Sequence, residues 1–357
     1  MDEIKLGLEG VVAFETTIAE PDKEGGSLRY RGIDIEELVG RYPFEKVWGL
    51  LVDESFEPGM PQAEHLELQD PSGSVMADLQ AGLATLGPKW KLKQLVDLNP
   101  QEARNDLARL SAAALLIVAQ AARGNAPVVP ESEVQKGENA AAQFLIRWRG
   151  DAEPKHVTAL DTYWVTAAEH GLNASTFTAR IAASTGADCA AALSAAVGAL
   201  SGPLHGGAPG RVVPMLDAVA RTGDAEAYIR GLLAKGERIM GFGHRIYRAE
   251  DPRARVLKRT AKELGSPRYE VAEALETAAL KVLKEVHPDR PLPTNVDYWA
   301  AVVLDLAEIP HEIAPAMFGC ARVAGWSAHI LEQRETGKLI RPLARYVGPP
   351  AHSLAEA

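Results

Sequence analysis

The 357 residues include 48 acidic and 38 basic side chains, a formal charge of −10, with 46% hydrophobic residues. That supplies a large core and, at roughly 150 residues per domain, about two domains, while the acidic balance argues against nonspecific binding to phosphate backbones. The two cysteines, Cys189 and Cys320, are far apart and lack a C-x-x-C partner, which speaks against a disulfide framework or zinc knuckle and fits a reducing cytoplasm.

Met1-Asp2-Glu3-Ile4-Lys5 lacks the cationic start and apolar stretch of a secretory signal, so export is not expected. Residues 11–18 are β-prone, a turn follows at 22–26, and 27–32 can return, which predicts a small hairpin. Beyond it alanine and leucine dominate. Segments 38–51, 106–121 and 188–200 carry apolar residues at helical spacing, and Asp188 is placed to cap the last of them. Residues 107–122 are the most apolar stretch, but Arg109 and Gln120 interrupt it and it is short for a bilayer, so a buried helix is expected. Residues 126–136, with two prolines, read as a surface loop. No strand and helix alternation appears, so the expected class is all-α rather than Rossmann or barrel.

Four segments depart from plain helix composition. In Glu169-His170-Gly171-Leu172-Asn173-Ala174-Ser175-Thr176-Phe177 a polar break precedes an apolar run; Asn173 or Ser175 can cap, and His170 alone reads as a structural hydrogen-bonding histidine. In Ser201-Gly202-Pro203-Leu204-His205-Gly206-Gly207 the histidine precedes a helix expected to begin near Arg211. The positive end of that dipole disfavours an imidazolium, so His205 is either a neutral donor to developing negative charge or part of an ordinary glycine-rich turn.

The third segment, 239–253, contains Gly241-Phe242-Gly243-His244-Arg245 and Asp251-Pro252-Arg253. Arg245, Arg248, Arg253, Arg255, Lys258 and Arg259 crowd together in an otherwise acidic chain, either as an anion site or as a solvated basic face. In the fourth, Pro293-Thr294-Asn295-Val296-Asp297, Thr294 or Asn295 can cap a helix with Asp297 in its first turn, where a carboxylate is favoured for purely structural reasons, so Asp297 taken singly reads as a capping aspartate rather than a catalytic base. His311-Glu312 lacks the second histidine of H-E-x-x-H, and no metal site is expected.

Together, in this order, the four segments resemble the citrate synthase family, through E-H-G-x-N-A-S-T-F, G-P-L-H-G-G-A, G-x-G-H-R-x-Y-R-x-x-D-P-R and N-V-D. The likeness continues through 7–11, 28–35, 318–322 and 340–342. It implies an almost wholly helical fold with a large domain (1–207 and 309–357) and a small one (208–308) that closes over substrate. It also implies condensation of acetyl-coenzyme A with oxaloacetate. Asp297 matches the base that removes a methyl proton, His205 the donor to the enolate, and His244 the group that polarises and protonates the ketone. His170, Arg253, Arg322 and Arg341 match oxaloacetate contacts, the last reaching the partner subunit's site in a homodimer. Arg248 matches a cation near coenzyme A phosphates, and Met240, Gly241 and Gly243 the stretch lining the adenine. No tightly bound cofactor is implied, and neither nucleic acid nor membrane is an expected partner.

Two departures stand out: Leu98-Asn99-Pro100 replaces a His-Pro-Met stretch, and Ala167 stands where some relatives have histidine. The same catalytic groups serve 2-methylcitrate synthases, which use propionyl-coenzyme A. One methylene discriminates by only about 1–3 kcal/mol, and Leu204, where those enzymes often carry lysine, favours the acetyl donor. A noncatalytic sensor of coenzyme A or citrate is the reading from another class; it would typically have lost a catalytic group, and none of the three is missing.

Overall fold

The computed structural model describes residues 4–351 other than 23, 25, 67, 69, 70, 207–210, 245, 248 and 249. Among these the α-helices are α1 (Ile35–Leu38), α2 (Phe44–Asp53), α3 (Val75–Lys89), α4 (Pro100–Arg123), α5 (Glu131–Val134), α6 (Ala140–Arg149), α7 (Pro154–Ala167) and α8 (Ala174–Ser184). They continue as α9 (Cys189–Leu200), α10 (Val212–Thr222), α11 (Ala225–Ala234), α12 (Pro252–Glu263), α13 (Tyr269–Val286), α14 (Val296–Leu306) and α15 (Ala314–Thr336). One antiparallel sheet, β1 (Ala19–Asp22), β2 (Ser27–Tyr30) and β3 (Ile33–Asp34), precedes them, with Ala19 opposite Tyr30 and Tyr30 opposite Ile33.

Two local expectations shift. The stretch 11–18 forms no strand: β2 has four residues to offer, 19–22 take them, and Val12 is left 88% exposed. Residues 38–51 are two elements, because Gly40 turns the chain with φ 76° and Pro43 stands at the N-cap of α2. Within 126–136 a single helical turn, α5, interrupts the expected loop.

Elsewhere the capping chemistry works as the sequence suggests. Asp188 accepts the Ala191 amide at 2.9 Å and starts α9. Asn99 and Glu102 exchange side-chain and backbone bonds of 2.9 Å each, a capping box with Pro100 at the first helical position, so the departing Leu98-Asn99-Pro100 stretch serves as a helix start.

The core lies around α4 and α15. Alanine-rich faces let α15 run close against α2, α4, α7, α8 and α9, and Ser111 on α4 meets Ser327 on α15 at 3.1 Å while also accepting the Trp48 indole N–H. Gly325 brings α15 nearest to the end of α7: its amide donates to the Ala168 carbonyl at 3.2 Å, and a side chain there would meet that oxygen at 2.7 Å. The second group of helices, α10 to α14, is built on α12 against α14 and α11 against α13, and both α12 and α14 touch α7. No described helix is long and apolar enough to cross a membrane.

Candidate active site

The break between α7 and α8 is fixed by Tyr30 of β2, whose buried phenol faces the Val165 and Thr166 carbonyls at 3.1 Å and receives the Glu169 amide at 3.2 Å. His170 follows, buried, with Nε2 3.1 Å from the Tyr247 hydroxyl and its ring edge-on to His244 at 5.2 Å. Burial and then the nearby Arg253, His244 and Arg322 drive its pKa well below the ordinary histidine value, so the ring is neutral.

His244 Nδ1 accepts the amides of Ile246 and Tyr247 at 3.0 and 3.1 Å, which fixes the neutral ring's proton on Nε2. Burial, reinforced by Arg253 and partly offset by Asp251, lowers its pKa to about 4. Nε2 lies 3.1 Å from Arg253 Nη2, so with the ring proton on Nε2 both nitrogens are donors. An oxygen seated beside the pair, at hydrogen-bond distance from each, would accept from both.

Arg253 is held by Asp251, which also caps α12. Arg253 Nε donates to Oδ1 at 3.0 Å, Nη2 to Oδ2 at 2.8 Å, and its own amide to Oδ1 at 3.1 Å. Asp251 Oδ2 also accepts the Val296 amide at 2.9 Å, and Asn295 Oδ1 accepts the Asp297 amide at 3.0 Å. With the first amides of α14 thus satisfied, Asp297 is not the cap, and its carboxyl makes no hydrogen bond among the described residues. Burial pushes its pKa up to about 6, against the pull of Arg253 and with a further push from Asp251.

His205 meets a different helix from the expected one. Its own following helix, α10, begins at Val212, whereas the ring reaches the start of α8: Nε2 lies 3.4 Å from the Ser175 amide, which donates to it, and 2.8 Å from Ser175 Oγ. In the neutral ring an acceptor at Nε2 carries its proton on Nδ1. The ring is edge-on to Phe318 at 6.1 Å, and Phe318 in turn underlies the Arg322 guanidinium at 4.6 Å. Arg322 Nε donates to the Ala167 carbonyl at 3.1 Å; its terminal nitrogens have no hydrogen bond among the described residues. Burial lowers its pKa, with Glu169 opposing and Arg253 adding to the fall. Burial raises the pKa of Tyr163, with Asp297 adding to the rise and Arg322 and Arg253 opposing it, so the phenol lies within the field of all three.

His170, His244, Arg253, Asp297 and, through Phe318, Arg322 and His205 are therefore one connected region. Arg341 is not part of it: it is exposed on the segment after α15. Arg248, like Arg245, lies outside the described residues. Met240 packs partly buried against the core, and Gly241 and Gly243, at φ 85° and 86°, seat against Tyr298 and Leu292. Arg255, Lys258 and Arg259 pair with Glu36, Glu250, Glu273 and Glu276, as a basic helix face does. Asp251, Tyr247 and Asn295 are contributors that the sequence reading gave no site role. Asp251 precedes a proline and so resembles a routine cap, while Tyr247 and Asn295 act through contacts distant in sequence. Among the described residues no group of histidine, cysteine or acidic side chains could hold a metal ion.

The arrangement offers paired donors to a carbonyl oxygen, buried cations for anions and a carboxyl able to take a proton. The family described as citrate synthase, C-terminal domain, matches residues 7–343. A Mycobacterium tuberculosis protein named "Putative citrate synthase 2" is 60% identical over 349 residues, covering 97% of this chain and 94% of its own. Citrate synthase 2 of Bacillus subtilis is 36% identical over 371 residues, covering 96% and 95%. Among solved structures, the ternary complex of Thermoplasma acidophilum citrate synthase with carboxymethyl coenzyme A and oxaloacetate matches with a TM-score of 0.85 at 27% identity over 100% of both chains. The all-α expectation is borne out, and this enzyme belongs to the citrate synthase family of acyltransferases.

Proposed function

We propose that the enzyme joins the methyl carbon of acetyl-coenzyme A to the ketone carbon of oxaloacetate and hydrolyses the product thioester, releasing citrate and coenzyme A. The observation that carries this reading is Asp297: a first-turn carboxyl relieved of capping by Asn295 and Asp251, without a hydrogen bond among the described residues, with a pKa raised to about 6. Ionised at neutral pH yet more basic than an ordinary aspartate, it suits proton removal from a weak carbon acid.

A carboxylate cannot deprotonate a thioester methyl unaided, so a donor must meet the developing oxyanion. His205, with Nε2 accepting from Ser175 and its proton on Nδ1, is that donor. The enol carbon then attacks the ketone carbon, and the ketone oxygen takes a proton from His244 Nε2 beside Arg253 Nη2, 3.1 Å away; the proton that Asp297 removed from the methyl group restores the imidazole. Water cleaves the citryl thioester to give the carboxylate and the thiol of coenzyme A.

Arg253, Arg322 and His170 would bind the two carboxylates, with Arg341 contributed from a second subunit. Its exposed position after α15 fits a homodimer. Met240, Gly241, Gly243 and Arg248 are the proposed coenzyme A contacts. Residues 208–308 would form the small domain, closing on 1–207 and 309–357 to exclude water. Two buried free cysteines fit the cytoplasm as the compartment.

The test is free-thiol release by purified enzyme given oxaloacetate with either acetyl- or propionyl-coenzyme A. Faster release from the acetyl donor is expected. Preference for the propionyl donor would make the enzyme a 2-methylcitrate synthase, and inertness towards both would favour a sensor.

A further inference from the structure

We infer that Asn295 is a positioning residue that fixes Asp297 against His244, so that base and acid are one rigid unit before either substrate arrives. As a helix cap, Asn295 needs only its Oδ1 contact with the Asp297 amide, which serine or aspartate would supply equally well. Its other atom is what asparagine adds: Nδ2 donates to the Gly243 carbonyl at 3.0 Å, the peptide group immediately before His244. The two bonds define the amide's orientation, since reversing it would set N–H against N–H and oxygen against oxygen.

The backbone continues the lacing. Asn295 N donates to the Gly241 carbonyl at 2.9 Å, Gly243 N donates to the Pro293 carbonyl at 2.7 Å, and Phe242 bridges Thr294. Gly241 lets the loop lie on α14, since a side chain there would come within 2.8 Å of Tyr298 Cβ. The loop that ends in His244 and the loop that leads to Asp297 are thereby joined at three successive positions, with Asn295 supplying the only side-chain tie between Gly243 and the Asp297 amide among the described residues. Misplacing either group by about 1 Å is enough to cost on the order of a hundredfold in rate.

The inference rests on the roles proposed for Asp297 and His244. Its test uses the full-length enzyme and two variants, Asn295→Asp and Asn295→Ser, which keep an acceptor for the Asp297 amide but lose the donor to Gly243. Calorimetric titration with oxaloacetate gives its Kd and counts competent sites, and thiol release from acetyl-coenzyme A gives kcat per competent site. Expected is a fall of 10- to 100-fold in kcat per site with the oxaloacetate Kd within threefold of wild type. A fall of less than tenfold in either folded variant, or a Kd that weakens in parallel with kcat, overturns the positioning role. A wild-type enzyme that releases no thiol overturns the functional reading instead, and is recognised before any variant is compared.

Discussion

Asp251 Oδ2 accepts from Arg253 Nη2 at 2.8 Å and from the Val296 amide at 2.9 Å, so one buried carboxylate joins Arg253 to the helix that carries Asp297. Asp251 is fully buried and Arg253 nearly so. Asp251→Asn would leave the guanidinium without its counter-charge in a dry setting, a change that typically costs about 3–5 kcal/mol. A loss of that size in denaturant unfolding is expected. A loss below 1 kcal/mol would mean that water or another group neutralises Arg253.

As the proposed base, Asp297 sets the acid limb of the rate profile. A general base works only when ionised, so kcat/KM for acetyl-coenzyme A should fall about tenfold per pH unit below about 6 and be level above it. A limb centred near 4 would contradict the burial effect. Asp297→Asn should keep oxaloacetate binding while losing methyl-proton exchange by at least a hundredfold. The same variant should unfold at a higher temperature than wild type above pH 6, because burying the ionised carboxylate is unfavourable and the amide removes that charge.

How far the sequence discloses this site depends on the range of the contact. Caps are local, and Asp188, Asn173 and Asn295 all act within three residues of themselves. The buried run of α4 and the paired basic face of α12 are likewise one-dimensional patterns. Longer-range geometry is not written locally: the helix that orients His205 is α8 rather than α10, and nothing in a glycine-rich turn tells which helix end its histidine will reach. The shifted hairpin has the same cause, since β propensity in 11–18 does not say which four residues will find a partner. Asp251 was hidden for the opposite reason: its local role as a cap is real and masks the contacts with Arg253 and Val296.

Gly325 offers a test of how the proposed oxaloacetate side is held. Within a helix, glycine to alanine ordinarily gains about 1 kcal/mol, yet at this crossing the new carbon would sit 2.7 Å from the Ala168 carbonyl and 3.0 Å from Glu169 Cδ. Gly325→Ala should therefore destabilise by about 1–3 kcal/mol and shift the turn that presents His170. Weakened oxaloacetate binding with a smaller change in kcat is the expected pattern; a variant more stable than wild type would show that α15 can move away freely.

Asp161 lies far from these groups in function but carries the same physics. It sits on α7 and accepts the Phe44 amide at 2.9 Å, at the start of α2. Burial pushes its pKa up to about 7, opposed by that amide and aided by the neighbouring Glu45. The folded state therefore retains a proton that the unfolded chain releases near pH 4. The stability this contributes is full below about pH 4 and is lost as pH rises through about 7, because above that value the buried group must ionise. Asparagine can accept the same amide without ionising, so Asp161→Asn should exceed wild type in unfolding free energy at pH 8 by on the order of 2 kcal/mol, with the gap closing towards pH 4. Thermal or denaturant unfolding across that pH range measures it directly. A difference independent of pH would mean that Asp161 titrates alike in the folded and unfolded chain and that burial does not raise its pKa.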